Sequence, residues 1–244
     1  MKNHALAVVQ RFAPSILWLV LAVQMTWVIL NSFFLHRSPG LDVLGVIILL
    51  TFIAFAARHQ HPRWRWMAVI VRALMAADFL LAVADRFGVL GPPGAPGVFL
   101  GDFAHFVDYT RSVASFLPGS LAPTLAVLAT IAEVSLAMAL LLGFRLRLAA
   151  YGAALLLSVY GTSMMISLPV AEQFHYNVFL LAAGMLTLSL ARSPLTVDAA
   201  LTKLGSRQSP ARPELEAAAA SPETWSRSRQ EVTWPGHPSQ LRKH

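Results

Sequence analysis

Three ionisable residues lie inside long apolar runs of this chain: Arg72, Asp78 and Glu133. An ionisable side chain at the centre of a membrane helix costs roughly 2.5 to 3.5 kcal/mol on insertion scales unless it is paired or hydrated. We therefore expect all three to face the interior of a helix bundle. Two interpretations stay open, a proton-accepting or polar ligand site and a structural Arg–carboxylate pair between helices. Asp85 follows Asp78 by seven residues and therefore shares its predicted helix face.

A second set of polar residues is predicted to lie on the outer side of the membrane. Asp102, His105 and Asp108 recur every third residue, and Glu172 and His175 are also three apart. This spacing brings side chains together on a helix, and imidazole with carboxylates can bind a divalent metal or relay protons. Neither spacing is a specific metal signature, and no HExxH motif occurs. The favoured interpretation is solvated residues and helix caps, with no metal site.

The composition is typical of a membrane protein. Of the 244 residues, 56% are hydrophobic and only 13% are charged, whereas a soluble domain carries roughly 25% charged residues. The formal charge of +7 comes from short basic clusters between apolar runs, which indicates membrane topology rather than nucleic-acid binding. No cysteine is present, so thiol catalysis, thiolate metal sites and iron–sulfur ligation are excluded.

The apolar runs predict an all-α fold, an integral membrane bundle of about six transmembrane helices. Each run is close to the length that crosses the ~30 Å hydrocarbon layer, and the second is the shortest. Continuous apolarity favours helices over barrel strands, whose residues alternate between polar and apolar. The runs lie at about 14–35, 41–57, 66–84, 121–143, 146–168 and 176–191.

Basic residues predict the orientation of these helices. With six spans, all strongly basic segments fall on one side, which predicts a multi-pass protein of the cell (inner) membrane with both termini in the cytoplasm. The connection 85–120 then lies outside, and its irregular Gly/Pro-rich turn precedes a short amphipathic helix. The polar residues 202–244 are predicted to be a disordered tail. The basic residues are Lys2, Arg11, Arg58, Arg63, Arg65, Arg145, Arg147, Arg192, Lys203 and Arg207.

Three segments carry a resemblance to a known family. Residues 72–87 form an apolar helix that opens with Arg and ends in Asp-Arg, residues 131–147 carry a glutamate helix that ends in Gly and a basic turn, and residues 175–199 place Asn before the last helix and Asp after it. This arrangement resembles the DoxX family. The matching positions are Arg72, Phe79, Leu80, Asp85, Arg86, Glu133, Asn177 and Asp198.

The resemblance covers about residues 66–201 and implies a DoxX-like four-helix membrane core. Residues 1–65 would then be two additional helices with a basic cytoplasmic loop. Two positions depart from the family, because Ala76 and Val83 stand where small glycine positions are expected, and the outer loop is unusually long.

The resemblance also implies a function, namely an accessory subunit of a membrane redox complex linked to quinone rather than a self-contained enzyme. Glu133 and Asp78 would shape a quinone-head or proton site, with Arg72 balancing their charge and Asn177 at the family position. The outer His-containing groups would meet a redox protein partner. Two other classes stay open: a small-molecule or ion transporter, for which embedded carboxylates are also expected, and a membrane scaffold for a partner protein.

Overall fold

The computed structural model describes residues 2–34, 40–59, 62–190, 196–197 and 201. The helices are α1 (Lys2–Phe34), α2 (Leu41–His59), α3 (Pro62–Arg86), α4 (Phe103–Val113), α5 (Ala122–Leu142), α6 (Leu146–Ser167), α7 (Val170–Tyr176) and α8 (Val178–Leu188). A 3-10 turn, Gly119–Leu121, precedes α5. These ranges contain no strand, in agreement with the predicted all-α class. The predicted tail and Asp198 lie outside the described residues.

Four helices are long and apolar enough to cross a membrane. The crossing segments are Arg11–Phe33, Trp66–Arg86, Gly119–Leu142 and Leu146–Ser167, and they contain 21 to 24 residues. At 1.5 Å per residue the shortest measures about 31 Å, which matches the hydrocarbon layer. The chain is therefore a multi-pass membrane protein, and the prediction of a helical membrane bundle is confirmed at that level.

The other two predicted spans form shorter helices. α2 has 19 residues, which at 1.5 Å per residue is about 28 Å. The last predicted span, 176–191, begins at the last residue of α7 and contains α8, which begins at Val178. Asn177 between them has a left-handed backbone with φ 54°. The count of six spans stays a prediction.

The helices pack in an order that differs from their order in the chain. α5 lies between α3 and α6, α6 packs on α8, and α2 contacts both α8 and α3. α1 packs against α8 and α2. The first two helices are therefore continuous with the rest of the bundle through α8 and α3. Whether residues 66–201 form a DoxX-like core stays a prediction.

Small residues let these helices approach closely. A Cβ added to Gly184 of α8 would lie 2.4 Å from Cδ2 of Leu50 in α2, and one added to Gly161 of α6 would lie 2.9 Å from the Phe179 ring in α8. Leu50 is fully buried. Lipid supplies little hydrophobic drive between helices, so such close van der Waals contact is a main source of their association.

Large apolar side chains cover the outside of the bundle. Leu19, Phe33 and Leu155 are 66%, 75% and 67% exposed. In lipid these surfaces contact acyl chains and need no protein cover. The arrangement leaves the polar side chains of the bundle interior as the candidates for function.

Candidate functional site

An ion pair joins α3 and α5 inside the bundle. Arg86 is the last residue of α3, and Glu133 lies near the middle of α5. Nη1 of Arg86 is 2.8 Å from Oε2 of Glu133, and Nη2 donates to Oε1 at 2.9 Å. The residues are 6% and 1% exposed. The Nη2–Oε1 contact is a charge-assisted hydrogen bond, whereas Oε2 of Glu133 has no hydrogen-bond partner among the described residues.

Three further side chains complete the surroundings of this pair. The Tyr160 hydroxyl of α6 donates to Oε1 of Glu133 at 2.6 Å, and Nη1 of Arg86 donates to the Thr130 hydroxyl at 3.3 Å. The guanidinium carbon of Arg86 lies 3.7 Å from the centre of the Phe106 ring in α4. We call Arg86, Glu133, Tyr160 and Thr130 the Arg86–Glu133 network. Four helices, α3 to α6, thus converge on one buried charge pair.

One donor of this network has no protein acceptor. Nε of Arg86 is buried and has no hydrogen-bond partner among the described residues. A buried donor without an acceptor costs about 1 to 3 kcal/mol, more when it belongs to a charged group. The network therefore contains one charged donor whose hydrogen-bonding capacity is unused within the described residues.

The sequence pointed to Arg72 as the cation that balances Glu133, and the structure places Arg86 there. Arg72 is also buried, but it precedes Arg86 by 14 residues, which is about 21 Å along α3. Its Nη1 lies against Gly143, where an added Cβ would approach to 2.6 Å. Arg86 was visible in the sequence only as a basic helix end, a position that normally indicates an interfacial residue.

The two aspartates of α3 have different surroundings although they are seven residues apart. Asp78 is exposed on the surface of α3. Asp85 is buried, and its carboxylate accepts hydrogen bonds from the backbone N–H groups of Phe99 at 3.2 Å and Leu100 at 2.8 Å. Asp85 therefore clamps the end of the loop that follows α3. The interior position predicted for Asp78 is not observed.

The predicted outer cluster consists of local pairs. Asp102 caps α4, because one carboxylate oxygen accepts from the backbone N–H of His105 at 2.8 Å and lies 2.8 Å from its Nδ1. These hydrogen bonds, the backbone one foremost, lower the pKa of Asp102 below its ordinary value. Asp108 pairs with Arg111 on the same helix. Capping and solvated pairing were the interpretation favoured from the sequence.

The second outer group, Glu172 and His175, lies on α7. His175 is exposed in the last turn of α7, with its ring against Tyr176. Glu172 lies in α7, and its side chain is outside the described part of the structure. Within the described ranges, no three His, Asp or Glu side chains are placed to hold a metal ion together.

A second polar region lies at the break between α7 and α8, where the sequence indicated Asn177 but not Gln24 or Gln173. Asn177 is 4% exposed, and its Nδ2 donates to the His175 carbonyl at 3.5 Å. Gln24 of α1 donates to the Phe174 carbonyl at 2.8 Å. Oδ1 of Asn177 and Nε2 of Gln173 are buried without a hydrogen-bond partner in the described part of the chain. The available signal was two glutamines in or beside apolar runs.

An open groove of about 380 Å³ runs along α6 on the face that carries three hydroxyl residues. Ser158 and Thr162 both donate to carbonyl groups one turn back in their own helix, so they present little free hydrogen-bonding capacity. The groove is lined by Phe116, Ser158, Val159, Thr162, Ser163 and Ile166.

These observations define a multi-pass membrane protein with a buried polar network between its helices. No protein-family model matches the chain, and neither does any curated protein or solved structure. The resemblance to the DoxX family stays a prediction that rests on the residues named for it above.

Proposed function

We propose that this chain is an accessory subunit of a quinone-linked redox complex in the cell membrane, and that the Arg86–Glu133 network is its polar site. One observation carries the proposal. An ion pair is buried among membrane helices, a tyrosine hydroxyl bonds to its carboxylate at 2.6 Å, and its Arg86 Nε has no acceptor in the described residues.

The residues of the network fit a quinone head group. Quinone carbonyl oxygens are hydrogen-bond acceptors, and Nε of Arg86 is a buried donor that has no acceptor. A bound quinone would supply a two-electron acceptor that also takes up protons. The protein would contribute the hydrogen bond from Arg86, a proton held on the Tyr160 hydroxyl and a carboxylate that exchanges that proton.

The orientation of the complex follows from the basic residues. Arg145 and Arg147 lie between α5 and α6, at the opposite ends of these helices from the α3–α5 connection. By the positive-inside rule this basic turn is cytoplasmic, and the α4 region faces outward. We place both termini in the cytoplasm and the redox protein partner on the outer surface, near His105 and His175.

The first experiment is purification of a tagged chain in mild detergent, with mass spectrometry of the proteins that accompany it. An unrelated membrane protein prepared identically is the control. We expect a reproducible oxidoreductase partner whose quinone reduction can then be assayed. A chain that purifies alone would overturn the accessory-subunit role.

Two variants then test the site. Glu133→Gln and Tyr160→Phe should lower quinone reduction by the complex while the chain still inserts, and Tyr160→Phe keeps the ion pair intact. Tyr151→Phe is the matched control, because Tyr151 lies on the same helix as Tyr160 and its hydroxyl has no hydrogen-bond partner in the described residues. Unchanged quinone reduction in both network variants would show that the network takes no part in that reaction.

A specific observation favours a second candidate, transport of a small polar molecule. The broken segment α7–α8 places buried, unpartnered amide atoms of Asn177 and Gln173 at the interruption, and interrupted helices form the substrate sites of many transporters. Uptake of labelled polar solutes into proteoliposomes, compared between the natural chain and Asn177→Leu, tests this candidate. If the natural chain and Asn177→Leu both take up a solute only at the level of empty liposomes, that solute is not a substrate for transport.

A further inference from the structure

Asp78 occupies an unusual position for a carboxylate in a membrane helix. It lies eight residues before the end of the Trp66–Arg86 span, about 12 Å into it. Its side chain is exposed on the surface of the bundle, and no hydrogen bond or ion pair joins it to another described residue. Polar groups at this depth are unfavourable unless something partners them.

The surface around Asp78 is suited to another helix. It is one continuous face of α3, with residues at spacings of three and four, and Ala73 and Ala77 lie one turn apart on it. Small residues one turn apart let a second helix approach closely. The α3 face, as we call it, comprises Ile70, Ala73, Leu74, Ala77, Asp78 and Leu81, all of them exposed.

The charged side chains described near this face do not pair with Asp78. Arg86 is already paired with Glu133. Arg72 precedes Asp78 by six residues, which places it on a different side of α3, where it is buried. The α3 face therefore presents a carboxylate to lipid without a cation from its own described surroundings.

We propose that the α3 face docks a transmembrane helix of a partner protein, and that this helix carries Lys or Arg at the depth of Asp78. Charge complementarity decides between the occupants. A second copy of this chain would place another Asp78 carboxylate against the first, which is unfavourable in a medium of low dielectric constant. The docking does not depend on redox chemistry, since the carboxylate needs a partner whatever reaction the complex carries out.

The absence of native cysteine allows a test by fluorescence energy transfer in phosphatidylcholine vesicles. The full chain carries one label on Ser120→Cys, an exposed position before α5. The probes are two labelled Leu/Ala peptides of the length of the Trp66–Arg86 span, one with Lys at its centre and one with Leu. We expect the Lys peptide to associate on the order of tenfold more tightly than the Leu peptide.

Variants of the full chain assign the effect to the α3 face. Asp78→Asn should remove the preference for the Lys peptide, whereas Asp108→Asn should leave it unchanged. Ala77→Ile keeps the carboxylate but blocks close approach of a second helix, so it should weaken the binding of both peptides. Equal binding of the Lys peptide to the natural chain and to Asp78→Asn would overturn the proposal.

Self-association is the other decisive outcome. In this test, chains labelled with a donor are mixed with chains labelled with an acceptor. If energy is transferred between them, and Asp78→Asn abolishes that transfer, the α3 face binds a second copy of this chain. The proposal of a partner protein's helix would then be wrong. The assay contains no quinone and no oxidoreductase. Its failure therefore leaves the proposed redox role untouched, and failure of that role leaves this docking surface in place.

Discussion

Arg86 and Glu133 depend on each other because both are buried among apolar helices. Their attraction offsets the desolvation of two charges only while both partners are present. The hydrogen bond from Tyr160 and the contact with Phe106 add partners from α6 and α4. The ion pair therefore connects four helices, α3 to α6.

Removing either partner alone leaves an uncompensated buried charge. We expect Glu133→Leu and Arg86→Leu each to lower the free energy of unfolding by roughly 3 to 5 kcal/mol, and the double variant to lose less than either single variant. Unfolding in detergent, followed by circular dichroism, completes the double-mutant cycle. Additive losses would mean that the two residues act independently.

The cap of α4 is predicted to respond to acid. Hydrogen bonds from His105 lower the pKa of Asp102 from its ordinary value of 3.8, so the cap is fully formed above that value. Its contribution is lost as the pH falls through the lowered pKa. Hydrogen exchange at the His105 amide should show protection at pH 5 and lose it in strong acid.

Asp102→Asn is the control for this acid response. An amide oxygen also caps a helix but does not titrate. Protection of the His105 amide should then be independent of pH. The same acid response in this variant would show that another group titrates.

At the scale of elements, helix packing is governed by positions that admit no side chain. Gly184 places the backbone of α8 against Leu50, and Gly161 places that of α6 against Phe179. The loop after α3 is held by a carboxylate instead, through Asp85 and two backbone amides. The glycine contacts and the Asp85 hydrogen bonds together position the helix faces and the helix ends that carry the polar groups.

Two glycine substitutions separate packing from helix propensity. Gly184→Ala should cost roughly 1 to 3 kcal/mol, because the new methyl group overlaps a fully buried leucine. Gly45→Ala in α2 meets nothing within 4 Å, so it should leave stability unchanged or raise it. The melting temperatures of the two variants in detergent are the measurement. Equal melting temperatures would show that α8 can move away from α2.

For the whole molecule, the open question is which helices cross the membrane. Four are long enough, whereas α2 has 19 residues and α8 has 11. If one of these helices does not cross, every segment that follows it lies on the opposite side of the membrane from the one predicted. The orientation proposed for the network and for the α3 face depends on this count.

Single cysteines in the cysteine-free chain decide the topology. With six spans, an impermeant maleimide should label Gly40→Cys and Ser120→Cys in intact cells, and should label Arg147→Cys and Leu201→Cys only after permeabilisation. Labelling of Gly40→Cys together with protection of Ser120→Cys in intact cells would place α2 on one side of the membrane. Labelling of Leu201→Cys in intact cells would show that α7–α8 does not cross.

The sequence by itself determined where the long helices lie. The predicted runs 66–84, 121–143 and 146–168 correspond to α3 (Pro62–Arg86), α5 (Ala122–Leu142) and α6 (Leu146–Ser167). Continuous apolarity is a local property, and lipid requires each such segment to satisfy its own backbone hydrogen bonds. The capping role of the outer polar residues was predictable for the same reason, because i, i+3 contacts stay within one helix.

Only the tertiary structure decided which charges meet. Arg86 and Glu133 are 47 residues apart, and their contact depends on the rotation and axial position of α3 against α5, which no local pattern specifies. The same holds for Asp78, whose exposure depends on where α2 and α5 pack on α3. The break at Asn177 was hidden too, because an apolar run does not reveal that one residue adopts a left-handed backbone.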